Sequence, residues 1–267
     1  MRFNRNKVLW EKYEQFARAR GRLVVQILSH YIPINGATIL DFGCGTGGIS
    51  LELSAAGAAV SAFDLNEKKM RVFKHAIIKS ELDIEILEKM DNHNARYDAI
   101  ILSDVIEHLI DPLQDLFKLK RMLKPCGLLY VSTPNQYSPL NILVDPHFSL
   151  PIISLLQRKH VRSVLADVLK WQPRDRIDFP QLFSLKKLDK LLRSSGFSWH
   201  FVNSRVASFA IHHPESVWNR GTHLKIIKIL EKTNIASAIE KIVNDDVGFF
   251  NMWLNPTWYL VAEKSPA

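Results

Sequence analysis

Ile39-Leu-Asp-Phe-Gly-Cys-Gly-Thr-Gly-Gly48 is the stretch on which the reading of this chain turns. An apolar and β-branched run, Ala37–Phe42, stops at glycines 43, 45, 47 and 48, so a strand ends and a helix begins within a few residues. Glycine permits the tight turn, and its missing side chain lets a ligand approach the backbone. The helix that follows offers unpaired N–H groups and the positive end of its dipole. Twenty-one residues beyond Gly43 stands Asp64, at the end of the next predicted strand. A carboxylate there can accept two hydrogen bonds from a ribose diol.

Gly43, Gly45 and Gly48 also satisfy the G-x-G-x-x-G pattern of dinucleotide sites. Asp41, two positions before the first glycine, separates the two readings. A carboxylate repels a pyrophosphate at that loop and attracts an ammonium group, such as the one on the methionine part of S-adenosylmethionine. A nicotinamide-dependent oxidoreductase is disfavoured on the same ground.

Outward from the loop, short apolar runs alternate with amphipathic stretches. A helix over about Gly47–Ala56 leads to a strand at Ala59–Phe63; residues 66–80 form a helix with Met70, Phe73 and Ile77 on one face. Ile84–Leu87 and Tyr97–Ser103 are strand candidates. Asp111-Pro112 starts a helix, as N-cap and first-turn proline, with Leu113, Leu116, Phe117 and Leu123 as its apolar stripe. Leu128–Ser132 is a further strand. This alternation predicts a parallel sheet with helices on both faces, a doubly wound α/β architecture. Prolines 139, 146, 151, 173 and 180 interrupt the pattern, and 152–171 reads as a cap helix presenting Leu156, Val161, Val164, Leu165 and Val168. Ser184 caps a helix carrying Leu185, Leu188 and Leu192, followed by a strand over about Phe197–Val206, helices at about 223–243, and a last apolar run, Thr257–Ala262.

Five segments, in order, resemble the class I S-adenosylmethionine-dependent methyltransferases. Leu40-Asp-Phe-Gly-Cys-Gly-Thr-Gly47 is similar to their first motif, and Ala62-Phe-Asp-Leu65 to the segment with their ribose-binding acid. Tyr97-Asp-Ala-Ile-Ile-Leu-Ser-Asp-Val-Ile-Glu-His108 resembles the fourth strand and its loop, and Leu123-Lys-Pro-Cys-Gly through Asn135 the fifth. Phe183-Ser-Leu-Lys-Lys-Leu through Gly196-Phe197 resembles the helix before the sixth strand. The nearest subgroup is that of the ubiquinone-biosynthesis O-methyltransferases. The resemblance implies a Rossmann-like, mostly parallel seven-stranded sheet with an inserted helical cap. It implies S-adenosylmethionine as cofactor, held by Asp41, Gly43, Gly45, Gly47, Asp64, Leu65 and Ser103. The acid that meets the adenine amino group falls on Asp91, with Asn92 as the alternative. Cys126 replaces the glycine usual after Lys-Pro, a change that the following Gly127 is expected to relieve.

On this reading residues 1–36 form an N-terminal helical segment over the cofactor site, from which Tyr13 either reaches the cofactor or packs in the core. Residues 37–267 form the methyltransferase domain, with a cap insertion over about 135–183 and a second insertion over about 207–255. On the acceptor side, His108, Glu107 and the cap's His147 are the candidate catalytic residues. His108 follows the fourth strand on the rim of the ligand crevice, where a base or a group positioning one would stand. The first alternative is that Glu107 and His108 only fix the loop by hydrogen bonds. The resemblance adds a third, a divalent metal on Asp104, Glu107 and His108, whereas no metal is the leading expectation.

The charge of +8 is uneven: residues 1–22 hold seven basic and two acidic side chains, and 157–176 six and two. Arg158, Lys159, Arg162 and Lys170, with Trp171 at the end, make the cap helix a candidate for peripheral membrane contact as well as a pocket roof. No apolar stretch long enough for a signal peptide or a membrane span occurs, and Cys44 and Cys126 have no metal or disulfide spacing. The chain is therefore expected to be cytoplasmic, with a small-molecule or lipid- or sugar-linked acceptor, no nucleic acid and no obligate protein partner. The expected activity is O-methylation; the alternative is a catalytically silent S-adenosylmethionine-binding partner or regulatory protein.

Overall fold

In the computed structural model, residues 2–90, 94–176, 178–217 and 242–264 are described, with the side chains of 2–12 outside that description. Seven strands pair in the order β3-β2-β1-β4-β5-β7-β6. They are β1 (Thr38–Phe42), β2 (Ala59–Phe63), β3 (Ile84–Ile86), β4 (Tyr97–Ser103), β5 (Leu123–Pro134), β6 (Phe197–Phe201) and β7 (Thr257–Lys264). β1 to β5 run parallel, and β7 enters antiparallel between β5 and β6, with Ser132 opposite Tyr259. This is the expected Rossmann-like α/β sheet.

Helices cover both faces because every second strand residue is apolar and must be buried on each side. On one face α1 (Arg2–Leu28), α2 (Gly48–Ala55), α3 (Glu67–Ser80) and α8 (Asn203–His212) pack Leu23, Ile27, Leu51, Phe73 and Val206 against Ile39, Val60 and Ile101. On the other, α4 (Pro112–Met122) and α7 (Leu185–Ser194) pack Leu116, Leu119, Leu188 and Leu192 against Leu40, Ile100 and Leu129. α1 lies hard against the start of α2: a Cβ on Gly48 would stand 2.4 Å from the carbonyl carbon of Ala17, and one on Gly21 2.6 Å from the oxygen of Gly48. Only glycine allows that approach, which carries the N-terminal helix to the mouth of the β1–α2 loop.

Four expectations change. The buried stripe of α4 is Leu116, Leu119 and Met122, while Leu113 and Phe117 are largely exposed and Leu123 already belongs to β5. The strand expected to reach Val206 stops at Phe201, and α8 takes over, since Val206 and Ala210 one turn apart both meet the core. The cap helix expected over 152–171 is broken. A single turn at Ile153–Leu155, a short α6 (Arg158–Arg162) and a widened π turn over Ser163–Val168 replace it. Its own small core joins Ile153, Val161, Leu165 and Phe179, and closing that core around two short turns is incompatible with a continuous rod. Cys126 itself takes the left-handed φ of 62° that the usual glycine would adopt, so Gly127 is not what relieves that turn. Nearly all of the helices expected over 223–243 lie outside the described residues.

Candidate functional site

A cleft of about 190 Å³ opens at the carboxyl ends of β1 and β4, lined by the β1–α2 loop, by Ser103 and Asp104, and by Tyr13, Phe16 and Arg20 of α1. Asp41 is buried at its floor and accepts a 2.6 Å hydrogen bond from the Ser50 hydroxyl. Burial pushes its pKa up to about 6, with Ser50 opposing and Asp64 adding to the rise. Gly43 and Gly45 line the same cleft. Gly47 forms the left-handed N-cap of α2.

Asp64 follows β2 and organises the loop around it. One carboxylate oxygen accepts from the Gly45 amide at 2.8 Å and the other from the Asn66 amide at 2.7 Å. Asn66 in turn caps α3 by accepting from the Lys69 amide. Each carboxylate oxygen keeps lone-pair capacity for a diol. Leu65, beside it, is 86% exposed. Asp91 and Asn92 lie outside the described residues. The cleft thus combines open backbone at a strand-to-helix turn with a buried acid, and Asp64, one strand over, is tied to its rim through the Gly45 amide. This donor set fits the ammonium and ribose of S-adenosylmethionine.

Arg20 escaped the sequence reading. Its guanidinium is bound to Asp104 at 2.5 Å and reaches Ser103 at 3.1 Å and Ser132 at 3.2 Å. Burial works against its charge, yet Asp104 and its surroundings raise its pKa overall. Conversely, Asp104, disfavoured by burial, is held below the usual carboxylate range by Arg20 and then His147. One arginine among seven basic residues in 1–22 carries no local mark of this role; only the crossing of α1 over α2 delivers it.

The acceptor-side residues converge next to Asp104. The turn Ile106–His108 leaves Glu107 with no exposed surface, and Glu107 Oε2 accepts from Thr133 at 2.9 Å. Among the described residues Glu107 Oε1 has no hydrogen-bond partner, and it lies 3.6 Å from His147 Nε2. His147 comes from the cap, where Asp145 accepts its amide and that of Phe148, both at 2.9 Å. Burial lowers the basicity of His147, but Glu107, and behind it Asp145 and Asp104, raise its pKa overall. His108 packs edge-on against His147, ring centres 4.9 Å apart, with Nδ1 3.3 Å from the Asp178 carbonyl. Burial leads in lowering its pKa, Glu107 opposes and His147 adds to the fall. Asp104 is not part of this trio. One ligand atom from each of Glu107, His108 and His147 lies within 4.8 Å of the others.

The family described as "Methyltransferase domain" matches residues 10–200, well over half of the chain. The chain belongs to this family. The ubiquinone biosynthesis O-methyltransferase of Dinoroseobacter shibae is 30% identical over 168 residues, covering 61% of each chain. That of Cereibacter sphaeroides is 28% identical over 173 residues, 63% of each. The methyltransferase thus spans less than two thirds of the length of these curated relatives. Among solved structures, an S-adenosylmethionine-dependent methyltransferase from Mesorhizobium loti superposes with a TM-score of 0.54 at 14% identity, over 89% of this chain and 96% of its own. Phosphoethanolamine N-methyltransferase 2 of Haemonchus contortus, in complex with phosphomonomethylethanolamine and S-adenosylhomocysteine, gives 0.54 at 15% identity over 92% of this chain and 52% of its own. Among the described residues no helix is long and apolar enough to cross a membrane.

Proposed function

We propose that this methyltransferase methylates an oxygen of a small-molecule or a lipid- or sugar-linked acceptor, with His147 as base and Glu107 orienting it. The observation that carries the reading is the fully buried Glu107, whose one unpartnered oxygen faces His147. Such a carboxylate stabilises the imidazolium formed when a hydroxyl proton is taken up. The named activity of the ubiquinone-biosynthesis relatives supports oxygen as the acceptor atom.

When bound, S-adenosylmethionine supplies a methyl carbon activated by its sulfonium. Asp41 would attract its ammonium and Asp64 its ribose hydroxyls, with Gly43, Gly45, Gly47, Leu65 and Ser103 around it and Asp91 on the adenine side. The acceptor hydroxyl would be aligned with that methyl carbon, its new carbon–oxygen bond replacing the carbon–sulfur bond, whose electron pair would stay with the sulfur. The hydroxyl proton passes to His147 and on to water, leaving a methyl ether and S-adenosylhomocysteine. Residues 1–36 serve as the segment over the cofactor, and residues 37–267 as the methyltransferase domain, with insertions over about 135–183 and 207–255. A divalent ion on Glu107, His108 and His147 is the competing arrangement, favoured by their convergence, and would polarise the hydroxyl instead of accepting its proton.

Peripheral membrane contact has candidates in the basic cap, where Val168 and Trp171 are exposed, and in a second segment of the surface. Val161 and Leu165 are buried, whereas Leu140, Leu143, Phe249 and Trp253 are exposed. The test of the main reading uses tritium-labelled S-adenosylmethionine with catechol, a prenylated phenol in micelles and a methyl glycoside as acceptors. Label in a methyl ether supports it. Tight S-adenosylhomocysteine binding without transfer to any acceptor would favour a silent cofactor-binding protein.

A further inference from the structure

Arg158, at the start of α6 in the cap, spends its guanidinium on backbone. One of its nitrogens donates to the carbonyls of Leu109 at 2.7 Å and Glu107 at 3.0 Å, and another reaches that of Ile110 at 3.5 Å. These are the carbonyls that the turn Ile106–His108 and the chain just beyond it leave unpaired, the negative end of the turn. The Arg158 amide is aimed by the Gln181 side chain at 3.3 Å, and the Gln181 amide also donates to the Glu107 carbonyl at 2.9 Å. Glu107 is thus gripped from its backbone by two cap residues while its side chain spans from Thr133 to His147. Among the described residues Arg158 Nε is buried without a hydrogen-bond partner, and the hydrogen bonds of its guanidinium go to these carbonyls.

We infer that Arg158 is a positioning residue: it clamps the Glu107–His108 turn to the cap, so that closure of the cap and assembly of the Glu107–His147 pair are one event. The inference rests on the reading of Glu107 and His147 as the acceptor-side pair. An enzyme with this clamp holds its base only while the cap is seated, which ties chemistry to a covered acceptor.

The test is hydrogen exchange on the full chain. The reporters are the amides of His108 and Leu109, which bond to the Val105 and Ile106 carbonyls within the turn. In Arg158→Ala these amides should exchange about tenfold faster or more, the factor one lost charge-assisted hydrogen bond carries. Residues 43–48 should be unchanged, and S-adenosylhomocysteine affinity should stay within about twofold, because the clamp does not touch the cofactor cleft. Arg158→Lys, which can reach fewer carbonyls, should fall between. With catechol as acceptor, kcat should drop in Arg158→Ala and partly return in Arg158→Lys, while the cofactor KM stays put. Unchanged exchange at His108 and Leu109 overturns the clamp, and so does an equal rise at 43–48, which marks a general structural role. Should Arg158→Ala not fold, Arg158→Lys and Gln181→Ala decide, and no local rise in either overturns it. Faster local exchange without methyl transfer to any acceptor would leave the clamp standing and sink the O-methylation reading.

Discussion

Gly47→Ala should damage this protein far more than Gly45→Ala, although both glycines belong to one loop and both have positive φ. Gly47 sits at φ 78°, and a Cβ there would stand 1.9 Å from Cδ2 of Phe73, a ring with no exposed surface. Gly45 sits at φ 58°, and its Cβ would meet nothing nearer than Lys69 Cδ at 3.9 Å. An alanine forced into the left-handed region costs about 1–2 kcal/mol at either site. At Gly47 the ring must also leave its place, an overpacking cost of about 1–3 kcal/mol more. The totals are about 2–5 kcal/mol for Gly47→Ala and about 1–2 for Gly45→Ala. At about 2–4 °C per kcal/mol, that is a melting temperature lower by roughly 4–20 °C against 2–8 °C. Because those ranges overlap, a double-mutant cycle with Phe73→Ala is the sharper assay. Gly47→Ala should cost at least about 0.5 kcal/mol less in that background, and Gly45→Ala the same within about 0.5 kcal/mol. S-adenosylhomocysteine affinity should fall with Gly47→Ala, since α2 then starts from a displaced loop. Additivity of Gly47→Ala with Phe73→Ala would refute the steric argument.

Asp64→Ala should weaken S-adenosylhomocysteine at least about tenfold by calorimetry, and should also quicken amide exchange at Gly45 and Asn66; an unchanged dissociation constant would mean the ribose is not held there. Asp41 titrates near pH 6 because it is buried, and the cofactor's ammonium is drawn to its ionised form. Affinity should therefore fall as pH drops through about 6, and Asp41→Asn should flatten that dependence. Since its folded pKa lies above the unfolded one, the ionised form weakens folding, and the apo protein should gain stability as pH falls from 7 towards 4. His147→Ala should lower turnover about 100-fold or more, and the wild-type rate should rise with pH through the imidazole's pKa. Glu107 lifts that pKa, so the stabilising imidazolium contribution is complete below the ordinary histidine value of 6.5 and lost as pH rises through the folded one. His108→Ala should cost less turnover than His147→Ala, and loss of activity with chelator, restored by a divalent ion, would replace the base with a metal.

Much of the cofactor side was legible because its signals are local. The strand ending at Phe42, the glycines, Asp41 and Asp64 all fall within about 25 residues, and the spacing of a β-α-β unit leaves them few places to go. The bounds of β4 and the caps at Asp111 and Ser184 were readable for the same reason, since a cap is a contact three residues long; Asp111 accepts from the Gln114 amide. Val206 misled because a β-branched residue after a strand is compatible with either period. In the fold Asn203 decides it: the side chain accepts from the Tyr259 amide and donates to Asn251, tying the start of a helix to β7.

By itself, the sequence determined the doubly wound sheet and pointed to the class of cofactor proposed for it, because alternating periods and a glycine turn beside two acids are properties of short segments. It paired Glu107 with His108 but left His147 apart from them. Only the tertiary structure decided that His147 faces Glu107 across forty residues of chain, that Arg20 binds Asp104 and that Arg158 grips the turn between them. Those contacts depend on where an irregular cap closes and where α1 crosses α2. Such closures are set by packing summed over many distant side chains, which no period or local spacing in the chain records.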